Sequence, residues 1–103
     1  MSGVFKAISD PTRRTILQLL KVKPMTAGEI AGHFEVSKPT LSAHFTVLRE
    51  AGLIGSEKDG KHVTYWFNAS VLEEALLPFA GALDLNLGAD RSAPAGKPLR
   101  SKP

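Results

Sequence analysis

Cysteine is absent from the 103-residue chain, so no disulfide, thiol redox switch or thiolate metal cluster can form from it. Histidine is scarce: there are only His33, His44 and His62, none paired with another His or a carboxylate at the spacing that assembles zinc on one helix face. Neither a metal site nor a cofactor is expected. Long apolar runs are missing too. Nothing reaches membrane-spanning length or reads as a signal peptide, so no membrane partner and a cytoplasmic location are expected. No nucleophile lies beside a base, no glycine-rich loop cradles phosphate, and Glu73-Glu74 suits a solvated helix start better than acid–base work, so an enzyme is not expected. Excess positive charge is lacking where it would count. The formal net charge of +3 comes from residues 88–103, where Arg91, Lys97, Arg100 and Lys102 outweigh Asp90, while residues 1–87 hold nine basic and nine acidic side chains. A case for a nucleic-acid partner must therefore rest on where charges lie, not on their sum.

What is present is a pair of short helical patterns between Thr26 and Gly52, TAGEIAGHFEVSKPTLSAHFTVLREAG. Thr26 and Glu29 make a capping box that starts the first helix. Eleven residues later Ser37 caps the second, with Pro39 in its first turn, where a missing N–H costs nothing. Only Glu35-Val36 remains as connector, so the helices must cross sharply, as in a helix-turn-helix. Ile30, Ala31 and Phe34 form one apolar edge, and Leu41, Phe45 and Leu48 recur at helical spacing as a core stripe. Opposite that stripe, Ser42, Ala43 and Thr46, with Lys38 and Thr40 at the helix start, are small or polar and able to approach base edges, where hydroxyls meet donors or acceptors and methyls meet thymine. His44 lies at the edge of the stripe and suits either packing or a phosphate contact. Gly52 ends the helix.

The next segment, LIGSEKDGKHVTYWFN, alternates in character around Asp59-Gly60, which predicts a hairpin turning at those two residues. Val63, Tyr65 and Phe67 share one strand face; His62, Thr64 and Trp66 share the other, where Trp66 would cover a loop, a partner or, less favourably, a stacked ligand. Lys58, Lys61 and His62 at the tip offer donors to phosphate oxygens. Arg13 and Arg14, after Asp10-Pro11, suit phosphate contacts or salt bridges equally.

Three segments in order, FKAISDPTRRTILQLL, SKPTLSAHFTVLREAGLI and DGKHVTYWFN, resemble the N-terminal segment, the recognition helix with its following strand, and the wing of the ArsR family of winged-helix repressors. The resemblance runs from about Val4 to Leu76. It implies a mainly α fold with a small β-hairpin, a winged helix-turn-helix of about five helices plus a two-stranded wing. The implied function is a sequence-specific DNA-binding regulator of transcription, a dimeric repressor on double-stranded DNA bearing an inverted repeat. Implied DNA-binding residues are Ser37, Lys38, Thr40, Ser42, Ala43, His44, Thr46, Lys58, Lys61 and His62. Many relatives bind metal through a Cys-x-Cys pair that aligns with Thr26 and Gly28, or through Asp and His near Asn68, Ser70 and Leu72; this chain has neither set. The signal is left to an unidentified effector protein or ligand. The alternative is a winged-helix protein-interaction module that has given up specific DNA binding, favoured by Ala43 and the neutral body.

The remaining apolar residues suggest a second copy. Val4, Phe5 and Ile8 share one side of a first helix that stops before Asp10-Pro11, and Leu72, Leu76, Phe79 and Leu83 form a stripe on a last helix from about Ser70 to Leu87. With Leu77 and Leu85 off that stripe, there is more apolar surface than one small domain buries. The resemblance assigns the first and last helices to a homodimer interface. Pro78 is placed to kink the last helix or divide it. Residues 1–87 form the DNA-binding and dimerisation domain; residues 88–103, rich in Pro and small residues, read as a flexible basic tail.

Overall fold

The computed structural model describes residues 3–84. Their order is α1 (Gly3–Ile8), α2 (Pro11–Val22), β1 (Met25–Thr26), α3 (Ala27–Ala31), α4 (Lys38–Glu50), β2 (Ile54–Asp59), β3 (His62–Phe67) and α5 (Ala69–Leu83). The tail at 88–103 and residues 85–87, where the sequence predicts the end of the last helix, lie outside the described residues; α5 as described closes at Leu83, with Asp84 in the left-handed region after it. The architecture is the expected mainly helical winged helix-turn-helix, with five helices.

Local chemistry explains the helix boundaries. Asp10 accepts from the Arg13 backbone N–H at 3.1 Å and starts α2, with Pro11 in its first turn. At α3 the Glu29 N–H donates to Thr26 Oγ1 at 3.1 Å and the Thr26 N–H donates to Glu29 Oε1 at 2.8 Å, completing the capping box. Ser37 Oγ accepts from the Thr40 N–H at 3.2 Å and starts α4. The helix ends in a Schellman pair: the Gly52 N–H reaches Arg49 O at 2.9 Å and the Leu53 N–H reaches Leu48 O at 3.0 Å. This requires the positive φ of 79° that Gly52 supplies.

These caps give an acid-side prediction. A backbone N–H, from Arg13 and from Thr26, is the main reason Asp10 and Glu29 are held below the ordinary values of 3.8 and 4.5. Because folding lowers both values, their stabilisation is complete above the ordinary range and is lost as pH falls through the lowered ones. Urea unfolding should therefore show this contribution constant down to about pH 5 and declining below about pH 4. An Asp10→Asn, Glu29→Gln protein, which retains acceptors but cannot titrate, should lose less stability over that acid range. Equal acid sensitivity would show that other carboxylates dominate.

The core lies between the helices and one face of the sheet. Ile16, Leu20, Ile30, Leu48 and Leu53 are fully buried; Leu41 and Phe45 join them from α4, and Tyr65 and Phe67 from β3. The Phe45 and Tyr65 rings stack at 4.5 Å, fixing α4 on the sheet. Among the described residues no polar or charged side chain is buried, and no helix is long and apolar enough to cross a membrane.

The expected two-stranded wing is formed by β2 and β3, and it gains a third strand, in the order β1-β3-β2, because Met25 and Thr26 pair antiparallel with Tyr65 and Thr64. Two residues of strand carry no alternation to read. Two expectations need correction. The hairpin turns at Gly60-Lys61, one residue later than expected, since Asp59 pairs with His62; Gly60 alone has a positive φ, 64°, as in a II′ turn with glycine first. Trp66 is not an outward side chain awaiting a cover. It is buried, and its ring lies against Gly55 on the neighbouring strand so closely that an added Cβ there would fall 2.4 Å from the indole.

The last helix remains continuous through Pro78, which cannot donate to the Glu74 carbonyl. It begins at Ala69, and Asn68 secures its approach by donating Nδ2–H to Gly52 O at 3.0 Å and its N–H to Leu53 O at 2.8 Å. Val4 is already buried in its own chain's core, and Ile8 and Leu72 pack against that core. Phe79 and Leu83 are exposed, as is Leu77 off the stripe.

Candidate nucleic-acid interface

Recognition of a groove demands a helix that is fixed on one side and free on the other. In α4, Leu41, Phe45 and Leu48 are buried, while Lys38, Thr40, Ser42, Ala43 and Thr46 are exposed on the outer face. The hydroxyls on that face are partly committed. Ser37 Oγ–H donates to Thr40 Oγ1 at 2.9 Å, leaving the Thr40 hydroxyl proton available. Thr46 Oγ1–H donates back to Ser42 O at 3.1 Å, so Thr46 offers a lone pair and a methyl group to a ligand. Lys38 brings a positive charge near the start of the helix, where exposed backbone N–H groups also favour anions.

The wing adds a second exposed positive group. Lys61 lies in the Gly60-Lys61 turn, with Lys58 before it and His62 directly after it, all exposed. A Cβ at Gly60 would meet no heavy atom within 4 Å, so the tip is open on that side. Long lysine side chains at an open turn suit phosphate oxygens, which are recognised by charge and reach more than by base identity.

His44 differs from its neighbours. It is half-buried; its Nδ1 meets an Arg13 guanidinium nitrogen at 3.1 Å and its Nε2 lies 3.9 Å from the Asp10 carboxylate. Arg13 and Arg14 are both engaged within the chain, beyond the two roles weighed for them from the sequence. Arg13 Nε donates to Ala7 O at 2.7 Å and a terminal nitrogen donates to Lys6 O at 3.0 Å; Arg14 donates to Ile8 O at 2.8 Å. Both arginines satisfy carbonyls at the C-terminus of α1, where a helix dipole favours cations. Sequence reasoning missed this. A guanidinium a few residues beyond a short helix's end is a usable signal for such a cap.

Where relatives carry thiolates, this chain spends the Thr26 hydroxyl on its capping box and has no side chain at Gly28. Among the described residues no group of three His, Asp or Glu side chains is placed to hold a metal ion.

Comparison with known proteins agrees with this geometry. The family model described as bacterial regulatory protein, arsR family, matches residues 10–56. The transcriptional repressor SdpR of Bacillus subtilis (strain 168) is 50% identical over 76 residues, 74% of this chain and 84% of that protein. The crystal structure of an ArsR family transcriptional regulator superposes with a TM-score of 0.74 at 29% identity, covering 80% of this chain and 84% of the other. A possible transcriptional regulator for arsenical resistance superposes at 0.71, with 32% identity and coverage of 80% and 85%. The chain belongs to the ArsR family of winged helix-turn-helix, DNA-binding transcriptional regulators, and it lacks the cysteines typical of metal-sensing members.

Proposed function

We propose that the protein is a cytoplasmic dimeric repressor that binds an inverted-repeat operator and releases it when an effector protein or ligand other than a thiolate-bound metal changes the dimer's geometry. The observation carrying this reading is α4 itself, a helix fixed by three buried residues with an exposed, small and hydroxyl-rich opposite face. In this reading Lys38, Thr40, Ser42, Ala43 and Thr46 face base edges, with the Lys38 ammonium at the helix start also neutralising the adjacent phosphate, Ser37 sets the start of the helix, and Lys58, Lys61 and His62 meet phosphates. His44 acts from behind the contact surface. The repressor role is supported by the name of the 50% identical relative, a transcriptional repressor.

Dimerisation is supported by the apolar surface at one end of the chain. Leu77, Phe79 and Leu83 are 49%, 50% and 64% exposed, and the Phe79 ring meets Phe5 of α1 edge-on at 5.3 Å. A second copy would cover them with its own α1 and α5, and two α4 helices related by a two-fold axis would reach successive major grooves. Residues 1–87 serve as the body, and the four cations of residues 88–103 serve as a nonspecific phosphate contact.

Selection of duplexes from a random pool, with sedimentation of the free protein, tests the proposal. The expected result is a dimer that enriches inverted repeats, and a Leu83→Glu protein that sediments as a folded monomer with at least tenfold weaker binding to the full site. Equal affinity for unrelated duplexes would exclude a specific repressor. A Lys38→Ala, Thr40→Ala protein with undiminished binding would exclude α4 as the reading helix.

A further inference from the structure

We propose that Arg13 is a positioning residue for the recognition helix, holding α4 to α1 through His44 without touching DNA; the inference rests on the DNA-binding reading above. Three of its five N–H donors are assigned. They reach Ala7 O at 2.7 Å, Lys6 O at 3.0 Å and His44 Nδ1 at 3.1 Å, so one planar group joins the last turn of α1 to the middle of α4. An accepting Nδ1 puts the ring proton on Nε2, which faces the Asp10 carboxylate at 3.9 Å. Asp10 is itself fixed as the N-cap of α2 by the Arg13 backbone N–H. The end of α1, the start of α2 and the inner edge of α4 thus meet at one node.

The node has a second connection. Through Phe5 and Phe79, α1 also touches α5, whose apolar face is the proposed contact with the second copy. A shift of α1 that accompanies a change in α5 must stretch the Arg13–His44 bond or carry α4 with it. Guanidinium is suited to this because its donors have fixed relative directions, which a lysine ammonium does not reproduce.

Four variants of the full chain, Arg13→Lys, Arg13→Gln, His44→Asn and His44→Leu, test the role. Each is titrated on the selected operator and on an unrelated duplex over a range of salt, with thermal unfolding alongside. Arg13→Lys is expected to lose at least tenfold in operator affinity with much less change on the unrelated duplex. Arg13→Gln should lose affinity while keeping the wild-type salt slope, since no phosphate contact is removed. His44→Asn retains an acceptor near the Nδ1 position and should bind within a few-fold of wild type, whereas His44→Leu should lose as much as Arg13→Lys. The proposal is overturned if Arg13→Lys binds like wild type, or if Arg13→Gln flattens the salt slope by about one per protomer, the mark of a lost phosphate contact. Should the arginine variants unfold, the histidine pair decides: equal binding by His44→Asn and His44→Leu overturns it. Wild-type protein with no operator preference would instead remove the reading on which the inference rests.

Discussion

Raising monovalent salt from about 50 to about 200 mM is expected to weaken operator binding on the order of 10³-fold. Lys38, Lys58 and Lys61 are exposed at the proposed contact surface, which gives six lysines in a dimer. Each neutralised phosphate releases condensed counterion, and a slope of about −0.9 per contact gives about −5 in log affinity against log salt. Fluorescence anisotropy across that range measures it directly. The body is formally neutral, so this steepness depends on local placement: acidic side chains elsewhere balance the sum without occupying the helix start or the wing tip. A chain shortened after Leu87 assigns the share of the tail. Retention of most of the slope supports the folded surface as its source, and a slope shallower than about −2 would show that the α4 and wing lysines do not reach phosphates.

Leu48→Ala should cost about 2–5 kcal/mol. Leu48 is fully buried, and its carbonyl also accepts the Leu53 N–H that closes the end of α4. Removing the side chain opens space under the recognition helix, beside the residues that fix it to the sheet. For a domain whose total stability is expected to be about 5–15 kcal/mol, this is a large fraction. Its thermal midpoint should fall by about 8 °C or more. Lys38→Ala on the opposite face should change stability by no more than about 0.5 kcal/mol. Comparable midpoints for the two proteins, measured at one concentration, would contradict the assignment of buried and exposed faces.

The contrast between those two positions is also what could be read from the amino-acid order. Caps at Asp10, Thr26 and Ser37 join groups three residues apart, so their chemistry is local and the sequence spells it out. The Leu41, Phe45 and Leu48 stripe follows from helical period alone. Long-range partners are different. Arg13 and His44 are separated by 31 positions, and nothing near either residue names the other. β1 exists only because β3 offers it an edge, and a two-residue segment has no period of its own. Turn placement failed for a subtler reason. Asp59-Gly60 and Gly60-Lys61 both satisfy a glycine-containing two-residue turn, and cross-strand pairing down to Ile54 with Phe67 selects the second. The arginines' carbonyl partners are equally remote from local pattern, because the usual partner of a guanidinium is phosphate or carboxylate and the end of a short helix gives no charge to mark it.

The indole resting on Gly55 makes the molecule its own optical probe. Trp66 is the only tryptophan in the chain, and it sits at the root of the wing, away from the outer face of α4. Emission excited at the red edge therefore reports on the packing of that one side chain, so separation of β2 from β3 can be followed without a dye, and an altered spectrum on adding duplex would show that binding reaches the indole's surroundings.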